Sequence, residues 1–235
     1  MGKVTITHDT TKKPITMIGY YSGVCRHADV SDDEKNYKRG LECITSEHGR
    51  TFEFPDVYAV IEGYSAKVLR EWYTHIGGLP TRLQDSTRYI DYSKGEGFEY
   101  TTPPTIKNNE YASVEWAGLM KYINCTINKF INEYGIPIED ATMGLPIAYH
   151  SMMADKRNFR NIVDMTAQRT CVRAYWEYRM ELMNDYLKAL RQYSSEWDTL
   201  INMTCTPKCE RVGFCTEKDS CSYMPPKEEV MNERS

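Results

Sequence analysis

The stretch Thr81-Arg82-Leu83-Gln84-Asp85-Ser86-Thr87-Arg88-Tyr89-Ile90-Asp91-Tyr92-Ser93 is dense in side chains that donate and accept hydrogen bonds. Ordering so polar a segment costs conformational entropy, which internal partners or a ligand must offset. Arg88 suits an anion, because a guanidinium stays charged and donates through a planar fork that matches phosphate. Ser86 and Gln84 add neutral donors and acceptors of the kind that read a pyrimidine edge. A surface loop stitched together by its own hydrogen bonds explains the same residues. On spacing alone the two readings stand side by side.

Thiols form the second concentration of chemistry. The chain has eight cysteines. Cys25, Cys43, Cys125 and Cys171 are scattered and read as reduced or buried thiols. Cys205, Cys209, Cys215 and Cys221 crowd the C-terminal end, enough thiolates for a tetrahedral zinc or an iron–sulfur cluster. Their spacing is not that of paired CxxC knuckles, so reduced thiols or redox-dependent disulfides remain alternatives. A four-cysteine zinc would be structural, since it leaves no coordination position open.

The bulk numbers narrow the classes. With 235 residues, 41% hydrophobic and 26% charged, the chain has material for a sizeable core. A formal net charge of −4 argues against a general nucleic-acid binder, which carries a basic face. No apolar run approaches the roughly 20 residues that span a bilayer, and the first residues lack a signal-peptide core. The expectation is a cytoplasmic protein with no nucleic-acid or membrane partner.

These chemical residues need elements to hold them. Val4, Ile6, Ile15, Met17 and Ile18 are strand candidates within residues 1 to 28. Ser31 and Glu34 form a capping box for a helix that carries Tyr37, Leu41 and Ile44 and stops at Gly49. Phe52 to Glu62 reads as a strand, and Ser65 caps a helix reaching about His75. Gly77-Gly78-Leu79-Pro80 must be a loop. Thr81 to Lys94 is polar, and Phe98 to Thr102 reads as a short strand. Helices are expected over 110–134, from Pro137, over 158–168 and over 172–193. The predicted fold is α+β: a small antiparallel sheet packed with several long helices. One catalytic domain covers 1–200, and a Cys-rich tail covers 201–235.

Gln84-Asp85-Ser86-Thr87-Arg88-Tyr89, with Tyr92-Ser93 behind it, resembles the signature loop of the flavin-dependent thymidylate synthases. That signature is an Arg-His-Arg run, then a Ser, then Asn-Glu-x-Ser-x-Arg-Tyr. Other segments match in order over about residues 20 to 190. Arg70-Glu71-Trp72-Tyr73 resembles Arg-Gln-Trp-Phe, and His48-Gly49-Arg50-Thr51-Phe52-Glu53 resembles His-Gly…Pro-Phe-Glu. Gly135-Ile136-Pro137 with Ala141 and Leu145-Pro146 resembles Gly-Val-Pro…Ala-Arg…Leu-Pro. Asn158-Phe159-Arg160 resembles Asn-x-Arg. Arg169, followed by Arg173-Ala174-Tyr175-Trp176-Glu177, resembles Arg-x-x-x-His-Ala-Gln-Trp-Glu. The departures are specific too. Only His75 survives of Arg-His-Arg, which aligns with Thr74-His75-Ile76. Leu83-Gln84 stands for Asn-Glu, and Phe54 for a His. Thr142 stands for a phosphate-binding Arg, and Arg173 for the flavin-side His.

The resemblance implies FAD as cofactor, dUMP as substrate, and NADPH and methylenetetrahydrofolate as co-substrates. It implies a homotetramer with active sites shared between subunits. Ser86, Arg88 and Arg169 would be catalytic; together with Gln84 they would bind dUMP. His75, Arg82, Gln84, Asn158, Arg160, Asp164 and Arg173 would hold FAD, with Arg82 replacing a lost motif Arg. Each has a plainer reading: His75 complements a helix C-terminus, and Arg160 and Arg173 are surface partners of nearby acids. Two further functions fit the altered motif: a flavin enzyme leaving another group, such as hydroxymethyl, on dUMP, or an inactive nucleotide binder of the same fold.

Overall fold

The structure, a computed structural model, describes residues 2–232. Four strands, β1 (Lys3–Ile6), β2 (Asp56–Ser65), β3 (Thr81–Gln84) and β4 (His150–Asn158), form an antiparallel sheet in the order β1-β2-β4-β3. Helices account for most of the remaining chain, so the fold is α+β, as expected. β2 buries alternate residues, Val57, Ala59 and Ile61, as a half-buried strand does. β4 alternates too, but its buried residues are Ser151, Met153, Asp155 and Arg157.

The chain divides into two compact units built from interleaved segments. The first takes Ile61–Thr74 and Arg82–Ala154, together with the N-terminal residues up to Lys3. In it Tyr92, Phe98, Met120, Ile127 and Ala141 form a buried apolar cluster along the Glu110–Asn132 helix. The second takes Val4–Val60, His75–Thr81 and the chain from Asp155 onward. Its core includes Phe159, whose ring meets Phe52 at 5.4 Å and Trp197 at 5.5 Å. Trp197 is fully buried and donates its indole N–H to the Thr11 carbonyl at 2.7 Å.

Several expected elements form on the expected chemistry. Ser65 caps the Ala66–Tyr73 helix by accepting from the Val68 amide at 3.2 Å. Asn109 caps the Glu110–Asn132 helix in the same way. Others need correction. Ile15, Met17 and Ile18 lie in the Pro14–Cys25 helix, where Pro14 occupies the first turn and Ile15, Ile18 and Ser22 are buried at helical spacing. The cap of the Asp33–Thr45 helix is Asp32, accepting from Glu34 and Lys35, while Ser31 bonds Asp29 instead. Phe52 belongs to a tight 3₁₀ turn, Gly49–Glu53, ahead of β2. Phe98 to Thr102 gives only an isolated bridge, Tyr100 to Tyr149. The 172–193 helix begins later, with a wide turn at Glu177–Leu182 leading into Met183–Tyr193. β4 and the Ser195–Thr204 helix were not expected. No helix among the described residues is long and apolar enough to cross a membrane.

The Pro14–Cys25 and Asp33–Thr45 helices touch backbone to backbone. A Cβ on Gly19 would lie 1.8 Å from the Asn36 carbonyl oxygen, and one on Gly40 would lie 2.0 Å from that of Ile15. Gly40→Ala should therefore lower stability by about 1 to 3 kcal/mol, the scale of overpacking. A urea melt with an unchanged midpoint would show that the helices can separate freely.

Candidate active site

In the first unit the polar loop is clamped to β4. The Asp85 amide donates to the Met152 carbonyl at 2.8 Å, and the Met152 amide donates to Asp85 Oδ2 at 3.0 Å. The buried Ser151 hydroxyl donates to Asp85 Oδ1 and accepts from Gln84 Nε2 at 2.7 Å. Gln84 therefore presents its nitrogen to the protein and keeps its carbonyl oxygen out of that bond. Burial, reinforced by the Asp85 charge, pushes the Tyr92 and Tyr149 phenols above their ordinary range. Both stay protonated at neutral pH.

Beyond this clamp the chain turns outward. The Tyr89 amide bonds the Ser86 carbonyl at 3.0 Å, and the Arg88 amide reaches Ser86 Oγ at 3.4 Å. Arg88 is two-thirds exposed and donates through Nε to Glu139 at 2.8 Å. Thr142 supplies no cation here. Its buried hydroxyl donates to the Ile138 carbonyl at 2.7 Å and lies 3.2 Å from that of Thr87. Arg82 donates to the Tyr73 carbonyl at 2.7 Å, with its guanidinium carbon 4.4 Å from the Tyr73 ring centroid. It fastens the end of the Ala66–Tyr73 helix, where a cation meets the negative pole of the helix dipole.

In the second unit Asn158 and Asn161 border the turn after His75. Asn158 caps the Phe159–Arg169 helix by accepting from the Asn161 amide at 3.0 Å, and its own amide nitrogen lies 3.4 Å from the Gly78 carbonyl. Gly78 has φ of +74°, and a Cβ there would meet Asn158 at 2.5 Å, so the position requires glycine. Arg169 Nε donates to His75 Nε2 at 2.9 Å, and its guanidinium lies 4.9 Å from the Tyr178 ring centroid. Arg160 pairs with Glu53 at 2.9 Å, and Arg173 donates to the Asp219 carbonyl. Asp164 lies exposed on the same helix as Arg160. Gln84, Ser86 and Arg88 thus share one loop, His75, Asn158 and Arg169 share one turn, and Arg160 and Arg173 each hold an acidic segment.

The cysteine tail does not gather a metal site. Among the described residues no three His, Cys, Asp or Glu side chains are grouped to hold an ion. Burial pushes the Cys205 thiol up to about 11, against the thiolate a metal needs, and Cys221 is exposed. The structure gives the four-cysteine zinc reading no support.

Residues 8–193 match the family of thymidylate synthase complementing proteins. The chain belongs to that family. A flavin-dependent thymidylate synthase of Nitratidesulfovibrio vulgaris is 26% identical over 236 residues, covering 92% of each chain. Among solved structures, ThyX of Helicobacter pylori, a flavin-dependent thymidylate synthase complexed with FAD and dUMP, superposes with a TM-score of 0.66. It is 17% identical and covers 87% of this chain and 99% of its own. PolB of Streptomyces cacaoi, a UMP/dUMP methylase, has a TM-score of 0.68 at 16% identity, covering 87% and 96%. At such identities the two structures establish the fold.

Within this family member, the sequence reading missed Asp85, Ser151, Asp155, Arg157 and Asn161. Asp85 sat inside the recognised loop, and its acceptor-only side chain was the available signal. Ser151 carried none, because its partners lie more than 60 residues away, and Asp155, Arg157 and Asn161, though near one another in sequence, sit on a strand and a helix start whose buried face hydrophobic alternation does not mark. Ser151→Ala leaves Gln84 Nε2 without its acceptor and Asp85 Oδ1 without its donor. It should cost about 1 to 3 kcal/mol of stability, the penalty for stranded polar groups. An unaltered denaturation midpoint would show that the clamp holds nothing.

Proposed function

We propose that this chain is a flavin-dependent thymidylate synthase, converting dUMP to dTMP with methylenetetrahydrofolate as carbon donor. In that reaction the proton at carbon 5 leaves, the methylene unit takes its place, and a hydride reduces it to methyl. Reduced FAD, reloaded by NADPH, supplies the hydride. The observation that carries the reading is the polar loop. In a chain of this family, Gln84, Ser86 and Arg88 sit on a turn whose base is fixed by Asp85 to β4.

Arg88 takes the dUMP phosphate by exchanging Glu139 for it. An exposed pair of this kind is worth about 0 to 1 kcal/mol, so the exchange is easy. Gln84 and Ser86 address the base, and the family resemblance alone adds Arg169, on the second unit, as a further dUMP candidate. The donor set of the second unit fits FAD. Arg160 and Arg173 are about half exposed, are held by surface acidic partners, and can donate to a pyrophosphate. His75, Asn158 and Asp164 stand with them. Arg82, which belongs to the first unit and is already bonded to Tyr73, is the weakest of the FAD candidates. The enzyme we propose works in the cytoplasm as a homotetramer with sites shared between subunits.

Anaerobic turnover with dUMP, FAD, NADPH and methylenetetrahydrofolate tests the reading through the mass of the product. A methyl group at carbon 5 is expected. A hydroxymethyl group would establish the other chemistry, and binding without turnover the inactive protein. UMP as the preferred acceptor would move the chain toward the methylase. Arg88→Ala should weaken dUMP binding by about 1.5 to 3 kcal/mol, the value of a hydrogen bond from a charged group. Calorimetry showing unchanged affinity would remove Arg88 from the phosphate site.

A further inference from the structure

Arg157 has no access to solvent. It shares the buried face of β4 with Asp155, two residues away, and donates to both carboxylate oxygens at 2.6 Å. Burial opposes the charge of Arg157, but Asp155 outweighs it and holds the guanidinium pKa above its ordinary value. The third nitrogen, Nη1, donates to Oδ1 of Asn161 and meets the Met165 sulfur. A guanidinium can only donate, so it fixes which end of the Asn161 amide faces it. The other end, Nδ2, is turned to the chain after His75, bonding the Gly77 carbonyl at 2.6 Å and reaching that of His75 at 3.4 Å. The imidazole of the same His75 accepts from Arg169.

Replacing a buried ion pair by apolar residues of similar size is often neutral or stabilising, so this pair is weak evidence of a device for stability. What it does define is orientation, passed along a chain of bonds from Asp155 through Arg157 and Asn161 to the turn. We infer that Asn161, held in one orientation by the buried Asp155–Arg157 pair, is a positioning residue for the flavin-binding turn at His75 to Gly78. The inference rests on the flavin reading proposed above. Asn161 acts through backbone carbonyls and is not itself a catalytic group. The carbonyls it holds set where the ring of His75, one of the flavin candidates, meets Arg169.

Asn161→Asp separates this role from packing. The aspartate keeps the volume and still accepts from Arg157, but it cannot donate to Gly77. A second variant, Asp155→Leu with Arg157→Met, removes the orienting pair and keeps an apolar interior, so it tests the same idea if the first variant folds poorly. FAD affinity is read by flavin fluorescence quenching, the environment of the ring by visible circular dichroism, and folding by the thermal midpoint. In folded variants, FAD affinity should fall about tenfold, the scale of one lost hydrogen bond, and the visible dichroism should change. The KM for dUMP should move far less than the FAD affinity. Folded variants with FAD affinity within about twofold of wild type and identical dichroism would overturn the inference. Wild-type protein that takes up no FAD would instead sink the flavin reading, and this inference with it.

Discussion

A charge that water cannot reach has to be satisfied by the protein, and β4 puts two such charges and a hydroxyl on its buried face. Asp155, Arg157 and Ser151 occupy positions where a half-buried strand ordinarily carries Val or Ile. Their partners are set by donor and acceptor count. Ser151 can both accept and donate, so it links Gln84 to Asp85. Arg157 can only donate, so after Asp155 is satisfied its remaining nitrogen goes to Asn161. In each unit, a polar residue of one strand thereby fixes a segment that bears candidate ligands. Local geometry in both places follows from hydrogen bonding more than from apolar packing.

The same requirement explains what could be read from the sequence. Local chemistry was legible: the Ser65 cap, the breaking Gly77-Gly78 pair and the long 110–134 periodicity all became the expected elements. β4 was invisible to hydrophobic alternation because Ser151, Asp155 and Arg157 are the residues it buries. The Pro14–Cys25 helix was misread because Ile15, Met17 and Ile18 satisfy a strand propensity that the spacing of Ile15, Ile18 and Ser22 overrides. In the loop, Gln84, Ser86 and Arg88 were legible through the family resemblance. The Asp85 clamp was not, since Ser151 and Met152 are more than 60 residues away.

Pairing also bears on how the altered signature can still work. Arg88, Arg160 and Arg173 each hold an acidic residue on an exposed surface. Such contacts keep cations ordered without binding them tightly, and a phosphate with two charges outcompetes one carboxylate. Thr142 shows the other side of the divergence. Where the family pattern has a phosphate-binding Arg, this chain has a buried hydroxyl that donates to the Ile138 carbonyl. On the proposed reading, the dUMP phosphate then depends more heavily on Arg88.

The account comes down to a flavin and a uridine nucleotide bound by one protein. Titration of the purified protein with FAD, followed by dUMP, under visible absorption measures both. The account predicts a bound-flavin spectrum, shifted from that of free FAD and shifted again when dUMP is added. A well-folded preparation whose added FAD keeps its free spectrum, and which does not respond to dUMP, would contradict it.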